Sequence, residues 1–96
     1  MSKYELGLVL SSKLDDSKRT EELEKVKGYI TRFKGSIIDP IEEWGRKKLA
    51  YEINHEKEAY YYFIQFEGDS NTSNELTSYL RIMENVLRYL ITRKDV

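Results

Sequence analysis

At 96 residues and 11.4 kDa the chain has room for a single domain over 1–96, with a core that is adequate but not generous. Hydrophobic residues at 40% and charged residues at 34% describe a soluble globular protein, and no apolar run approaches the roughly 18–20 residues of a membrane span. Without cysteine there is no disulfide, iron–sulfur cluster or thiolate metal site, and a net charge of −1 is far from the basic balance of a protein that grips nucleic acid alone.

The opening MSKYELGLVL has one Lys and a short apolar run, without the longer apolar segment and cleavage site of a signal peptide. Together with the lack of cysteine this fits a cytoplasmic protein. Residues 4–10 alternate, with Tyr4, Leu6, Leu8 and Leu10 on one face and Glu5, Gly7 and Val9 on the other, which predicts a first strand whose leucines enter the core. Asp15 and Asp16 suit a helix N-terminus. From about Ser17 to Phe33 the apolar positions Leu23, Val26, Ile30 and Phe33 recur at helical spacing, and Gly35 stands where a C-capping glycine would.

Ser36 to Ile53 is predicted as a second strand, bent near Gly45 and confined to a sheet edge by Pro40, which cannot donate to a ladder. It holds the only Trp (Trp44), the basic run Arg46-Lys47-Lys48, and an alternating end in which Leu49, Tyr51 and Ile53 share one side. Residues 54–58 (NHEKE) are predicted as a polar loop. Residues 59–67 (AYYYFIQFE) are a third strand with apolar residues on both faces, hence a central one: Tyr60, Tyr62, Ile64 and Phe66 on one face, Tyr61, Phe63 and Gln65 on the other. A second helix follows from about Ser73 to Ile82, burying Leu76, Tyr79, Leu80 and Met83. Residues 80–93 read either as more helix or, after a turn at Glu84-Asn85, as a fourth strand from Val86 to Arg93. The strand completes a ferredoxin-like βαββαβ arrangement of class α+β, with two helices on one face of a four-stranded antiparallel sheet. The first and third strands are then central and the second and fourth form the edges.

Nothing in the sequence assembles catalytic chemistry. His55 is the only histidine and lies among solvated charges, so with no Cys it cannot build a zinc site. No nucleophile–base pair and no glycine-rich phosphate loop is present, so no enzyme activity, cofactor, metal or small-molecule substrate is expected. Binding surfaces are the alternative. Tyr61 and Phe63 on the open sheet face form an aromatic patch, and a large apolar patch on a small domain usually marks an interaction site. Read as base-stacking aromatics they would make a stand-alone single-stranded RNA module, although the third strand fits the RNA-recognition pattern only in part. A small regulatory domain dimerising through its edge strand is a further reading. Basic residues gather in two places: Arg46-Lys47-Lys48 at the edge, and Lys3 with Arg88, Arg93 and Lys94 on the adjacent first and fourth strands, with Arg81 near them.

WGRKKLAYEI at 44–53, KYELGLVL at 3–10 and LRIMENVLRYLITR at 80–93 together resemble the bacterial small-subunit ribosomal protein S-six family, over nearly the whole chain in order and spacing. The resemblance implies a ferredoxin-like structural protein of the small ribosomal subunit in the cytoplasm. Such a protein pairs with the basic ribosomal protein S-eighteen and binds the central domain of small-subunit ribosomal RNA as that heterodimer, supporting subunit assembly and translation. It implies a partner-binding surface of Trp44, Arg46, Lys48, Leu49, Ala50, Tyr51, Ile53, Tyr61 and Phe63, and RNA contacts from Lys3, Tyr4, Arg81, Arg88 and Arg93. The chain departs from the family in Leu87-Arg88, where many members carry two basic residues, in Ala59, often Gly, and in ending at Val96 without the extended tail of some members.

Overall fold

The alternation at the start of the chain produces strand β1 (Ser2–Ser11), in which Tyr4, Leu6, Leu8 and Leu10 are 9%, 0%, 1% and 0% exposed. In the computed structural model, which describes residues 2–94 apart from the Asp39 side chain, the elements that follow are α1 (Asp16–Arg32), β2 (Ser36–Ile53), β3 (Glu56–Gly68), α2 (Ser70–Leu80) and β4 (Val86–Arg93). The expectation about the tail at Val96 lies outside the described residues. The sheet is antiparallel with order β2-β3-β1-β4, so β1 and β3 are central and β2 and β4 are the edges, as the ferredoxin-like arrangement requires. Pro40 falls in β2 between Ile38 and Glu42, where the register with β3 shifts and the ladder needs no donor from it.

Both helices start on an aspartate. The Asp15 carboxylate accepts from the Lys18 amide at 2.8 Å, and Asp69 does the same for Thr72 at 2.9 Å. The second cap moves the start of α2 to Ser70, three residues before the predicted Ser73, because Asp69 and not the later polar residues takes the capping position. The end of α1 also differs from expectation. Lys34, not glycine, adopts the left-handed conformation at φ 67, and the paired bonds Gly35 N–H to Ile30 at 2.8 Å and Lys34 N–H to Thr31 at 3.1 Å close a Schellman turn. Gly35 serves a different need: a Cβ there would sit 2.9 Å from the Ile30 carbonyl and 3.1 Å from the Thr72 methyl. The end of α1 meets the first turn of α2 there, and Thr72, itself buried, donates its hydroxyl to the Phe33 carbonyl at 2.7 Å.

Leu6, Leu8, Leu10, Ile64 and Phe66 from the sheet meet Val26, Ile30, Leu76 and Leu80 from the helices in one buried cluster. Burying each such side chain stabilises by about 1.5–3 kcal/mol, so this layer is the main favourable contribution to folding. Stacked rings of Tyr29 and Tyr79, with centroids 4.6 Å apart, and the tilted ring of Phe33 against Tyr79 close the seam between the helices. Arg19 ties α1 to β3: its guanidinium lies 3.8 Å above the Tyr60 ring and its Nε donates to the Tyr62 hydroxyl at 3.2 Å. With the helices on one side, the other face of the sheet is left to whatever β2 can do over it.

Candidate interaction face

Residues directly opposite one another in an antiparallel ladder share a face, so the register defines the open side of the sheet row by row. One row runs Phe63, Gly7, Leu90 and the next Tyr61, Val9, Arg88. Gly7 makes a dip in the middle, and the Phe63 ring leans over it, 3.4 Å from where a Cβ would stand. Leu90 is 69% exposed, so the apolar surface continues onto the β4 edge.

The β2–β3 hairpin shapes this face from the other side. A bulge at Trp44, with Gly45 at φ 74, sets Trp44 against Phe63 with ring centroids 4.7 Å apart. The ladder then continues to Lys48 opposite Glu58 and resumes only at Ile53 opposite Glu56, so residues 49–52 leave the sheet plane as an arm. The hairpin tip is a two-residue turn in which Asn54 and His55 both have positive φ, 50 and 66, the geometry that matches strand twist. His55 is exposed in that turn.

The predicted polar loop at 54–58 is therefore corrected: only Asn54 and His55 turn, and β3 begins at Glu56. Glu56 is also buried rather than solvated. Its carboxylate takes the Ser11 hydroxyl at 2.9 Å, the Ser12 amide at 2.7 Å and the Ser12 hydroxyl at 2.9 Å, which fastens the hairpin to the end of β1. Burial works to raise the Glu56 carboxyl, but the bonds from Ser11 and Ser12, helped by the charge of Lys13, outweigh it and hold the group below the ordinary carboxylate value. Sequence reading missed this residue because a glutamate among Asn, His and Lys carries no sign of burial.

Between arm and sheet lies a groove of about 330 Å³, floored by Gly7 and Val9 and walled by the arm residues Leu49 to Tyr51 on one side and Arg88 and Leu90 on the other. Tyr51 reaches across it. Arg88 donates to the Tyr51 hydroxyl at 2.5 Å, and its guanidinium carbon lies 5.7 Å from the Tyr51 ring centre. Residues from opposite edge strands are thus joined over the open face.

Of the partner-surface residues named from sequence, Trp44, Leu49, Ala50, Tyr51, Ile53, Tyr61 and Phe63 come together around this groove or on its Trp44 rim. Leu49 is buried, Tyr51 is 60% exposed and Trp44 is 51% exposed. Arg46 and Lys48 lie apart from the groove, flanking Glu58, to which Arg46 is paired at 3.0 Å.

The second basic cluster does not form as expected. Lys3 neighbours Lys94, whose amide donates to the Lys3 carbonyl at 2.7 Å, but Arg88 stands opposite Val9 at the far end of β1. Arg88 and Arg93 are roughly 17 Å apart along β4, and by alternation they face opposite sides of the sheet. Arg81 is exposed at the C-cap of α2, just before β4, at the end of the sheet remote from Arg93. Tyr4 is a core residue, its ring stacked on Phe66 at 5.4 Å, and is not part of any exposed basic surface. Among the described residues no group of three or more His, Asp or Glu is placed to hold a metal ion, and no helix is long and apolar enough to cross a membrane.

Comparison with known proteins adds to this geometry. Residues 3–93 match the family model described as Ribosomal protein S6. The small ribosomal subunit protein bS6 of Alkaliphilus metalliredigens is 40% identical over 93 residues, covering 97% of each chain. That of Thermoanaerobacter pseudethanolicus is 40% identical over 95 residues, covering 99% of each. Among solved structures, the crystal structure of 30S ribosomal protein S6 from Thermotoga maritima superimposes with a TM-score of 0.90 at 30% identity, covering 97% of this chain and 87% of that one.

Proposed function

The chain belongs to the ribosomal protein S6 family, and from that premise we propose that it binds the central domain of small-subunit ribosomal RNA as a heterodimer with ribosomal protein S-eighteen. Its setting is the small ribosomal subunit of the cytoplasmic ribosome, and its role there is structural, in subunit assembly and translation.

The observation that carries the pairing is the groove under the arm. It joins Leu49, Tyr51, Tyr61, Phe63 and Leu90 into one apolar and aromatic surface with Trp44 at its rim, while the chain as a whole is near neutral. Such a surface is suited to a protein partner with a few aromatic anchors. A near-neutral chain then reaches RNA by sharing a basic partner's charge, adding only local cations such as Lys3, Arg81 and Arg88.

A gel-shift titration on a central-domain ribosomal RNA fragment, with this protein alone and with S-eighteen added, tests the reading. Binding that requires both proteins is the expected result. Tight binding by this protein alone would replace the heterodimer with a stand-alone RNA module. The packing of Trp44 on Phe63 and the arm over Tyr61 weigh against that outcome, because bases could stack there only after both had moved.

A further inference from the structure

We infer that Tyr51 is a positioning residue for Arg88: it holds the guanidinium at the rim of the groove, aimed at a phosphate of the RNA backbone, so that the arm and the RNA contact act as one unit. The inference rests on the heterodimer reading above and goes beyond it by naming how the two binding surfaces are joined.

The first ground is that Arg88 is oriented without being neutralised. Several other cations of the chain meet carboxylates: Arg46 meets Glu58 at 3.0 Å, Lys94 meets Glu5 at 3.5 Å and Arg19 meets Asp16. Among the described residues Arg88 meets instead a phenol, which takes one N–H at 2.5 Å, with its ring centre 5.7 Å from the guanidinium carbon, but carries no charge. A guanidinium has five N–H donors in a rigid fork, so four remain for an anion, and that fork matches the two oxygens of a phosphate. An arginine that is free in solution loses much of its rotamer freedom on binding; one already held loses less, and its ligand binds more tightly.

The second ground is where Tyr51 stands. It lies in the part of β2 that has left the ladder, between Lys48 and Ile53, and its 60% exposed ring is open to a protein on the outer side. The arm is fastened at its tip through Glu56, and the reach of Tyr51 to Arg88 is its link to the opposite edge strand. A partner that packs on the arm therefore also fixes the hydroxyl that Arg88 points to, and pairing raises RNA affinity through this chain's own cation as well as through the partner's charge.

The test is a titration of the heterodimer onto the central-domain RNA fragment at several salt concentrations, with S-eighteen at a level that saturates every variant. Arg88→Gln is expected to weaken binding and to lower the salt slope by roughly 0.7–0.9, the loss of one phosphate contact. Tyr51→Phe is expected to weaken binding by roughly three- to tenfold, the range for one ordinary lost hydrogen bond, and to lower the slope in the same direction. The double variant is expected to be no weaker than Arg88→Gln alone. A merely structural role for the hydroxyl would shift the unfolding midpoint and leave the salt slope where it was. Losses that add in the double variant, an unchanged Tyr51→Phe complex, or an unchanged Arg88→Gln complex would each overturn the inference while the heterodimer reading stood. A wild-type pair that fails to bind the RNA would remove both.

Discussion

The Ser11 hydroxyl lies 2.9 Å from each carboxylate oxygen of Glu56, and this buried contact holds the β2–β3 hairpin to the end of β1. Glu56→Ala leaves the donors of Ser11 and Ser12 without their acceptor and is expected to destabilise the fold by about 1–3 kcal/mol. Urea unfolding midpoints at neutral pH measure this directly.

The same group sets a pH dependence. Its folded value is lowered, so the carboxylate binds fewer protons in the native state, and its stabilisation is present above the unfolded carboxyl value and is lost as pH falls through the folded one. Glu56→Gln cannot titrate. The difference in stability between wild type and Glu56→Gln should therefore be larger at neutral pH than well below pH 4, an approximate carboxylate reference point. A difference that stayed constant across that range would show that ionisation of Glu56 adds nothing to the clasp.

Lys34 occupies a left-handed conformation at φ 67 that costs a side-chain-bearing residue about 1–2 kcal/mol. Lys34→Gly removes the strain while the Schellman bonds persist, although the looser unfolded chain takes part of the gain back. A rise in stability of about 0.5–1 kcal/mol is expected, read as a higher thermal midpoint.

Gly35 next to it should respond in the opposite sense. An added methyl would meet the Ile30 carbonyl at 2.9 Å, and a backbone atom inside a helix cannot step aside. Gly35→Ala is expected to cost about 1–3 kcal/mol by disrupting the turn at the end of α1 and pressing on Thr72 of α2. Calorimetry of the two single variants separates the residue that needs glycine for its conformation from the one that needs it for space.

Trp44 joins the fold to the proposed function. Half exposed and packed on Phe63 alone among the aromatic rings, it should contribute little to folding, with Trp44→Ala costing about 1 kcal/mol or less. As an anchor at the rim of an interface it should matter more: the affinity for S-eighteen is expected to fall at least tenfold, a loss of about 1.4 kcal/mol or more. Calorimetric titration of the variant with S-eighteen decides between an anchor and a surface residue.

Periodicity made the architecture legible. The two faces of β1 and β3, the helical spacing from Leu23 to Phe33 and the edge position of the Pro40 strand all follow from local pattern, and the structure has each of them. The strand at 86–93 was ambiguous in isolation, because Leu80, Met83, Leu87 and Leu90 also keep helical spacing, and the sheet decides it by pairing Arg88 with Val9. The candidate site was legible in composition but not in arrangement. Tyr61 and Phe63 could be placed on one face from alternation alone, whereas Trp44 could not, because the bulge between Glu43 and Gly45 decides its side. That Tyr51 meets Arg88 could not, because the two lie on opposite edges of the sheet and only the ladder gap after Lys48 lets the arm reach over. Lys3 and Arg88 were grouped because their strands are neighbours, and an antiparallel register separates them. Glu56 was hidden because its partners, Ser11 and Ser12, are distant in sequence and ordinary in type.

The sheet order has a consequence for how the chain acquires its shape. The β2–β3 hairpin is local and can form early, but β1 needs β4 on its other side, and Tyr4 pairs with Arg93, at nearly the opposite end of the chain. Contacts of such long sequence separation are slow to close. During synthesis, β1 must wait with one ladder edge open until β4 has been made, so aggregation risk concentrates in that interval, in the leucine-rich strand at the start of the chain.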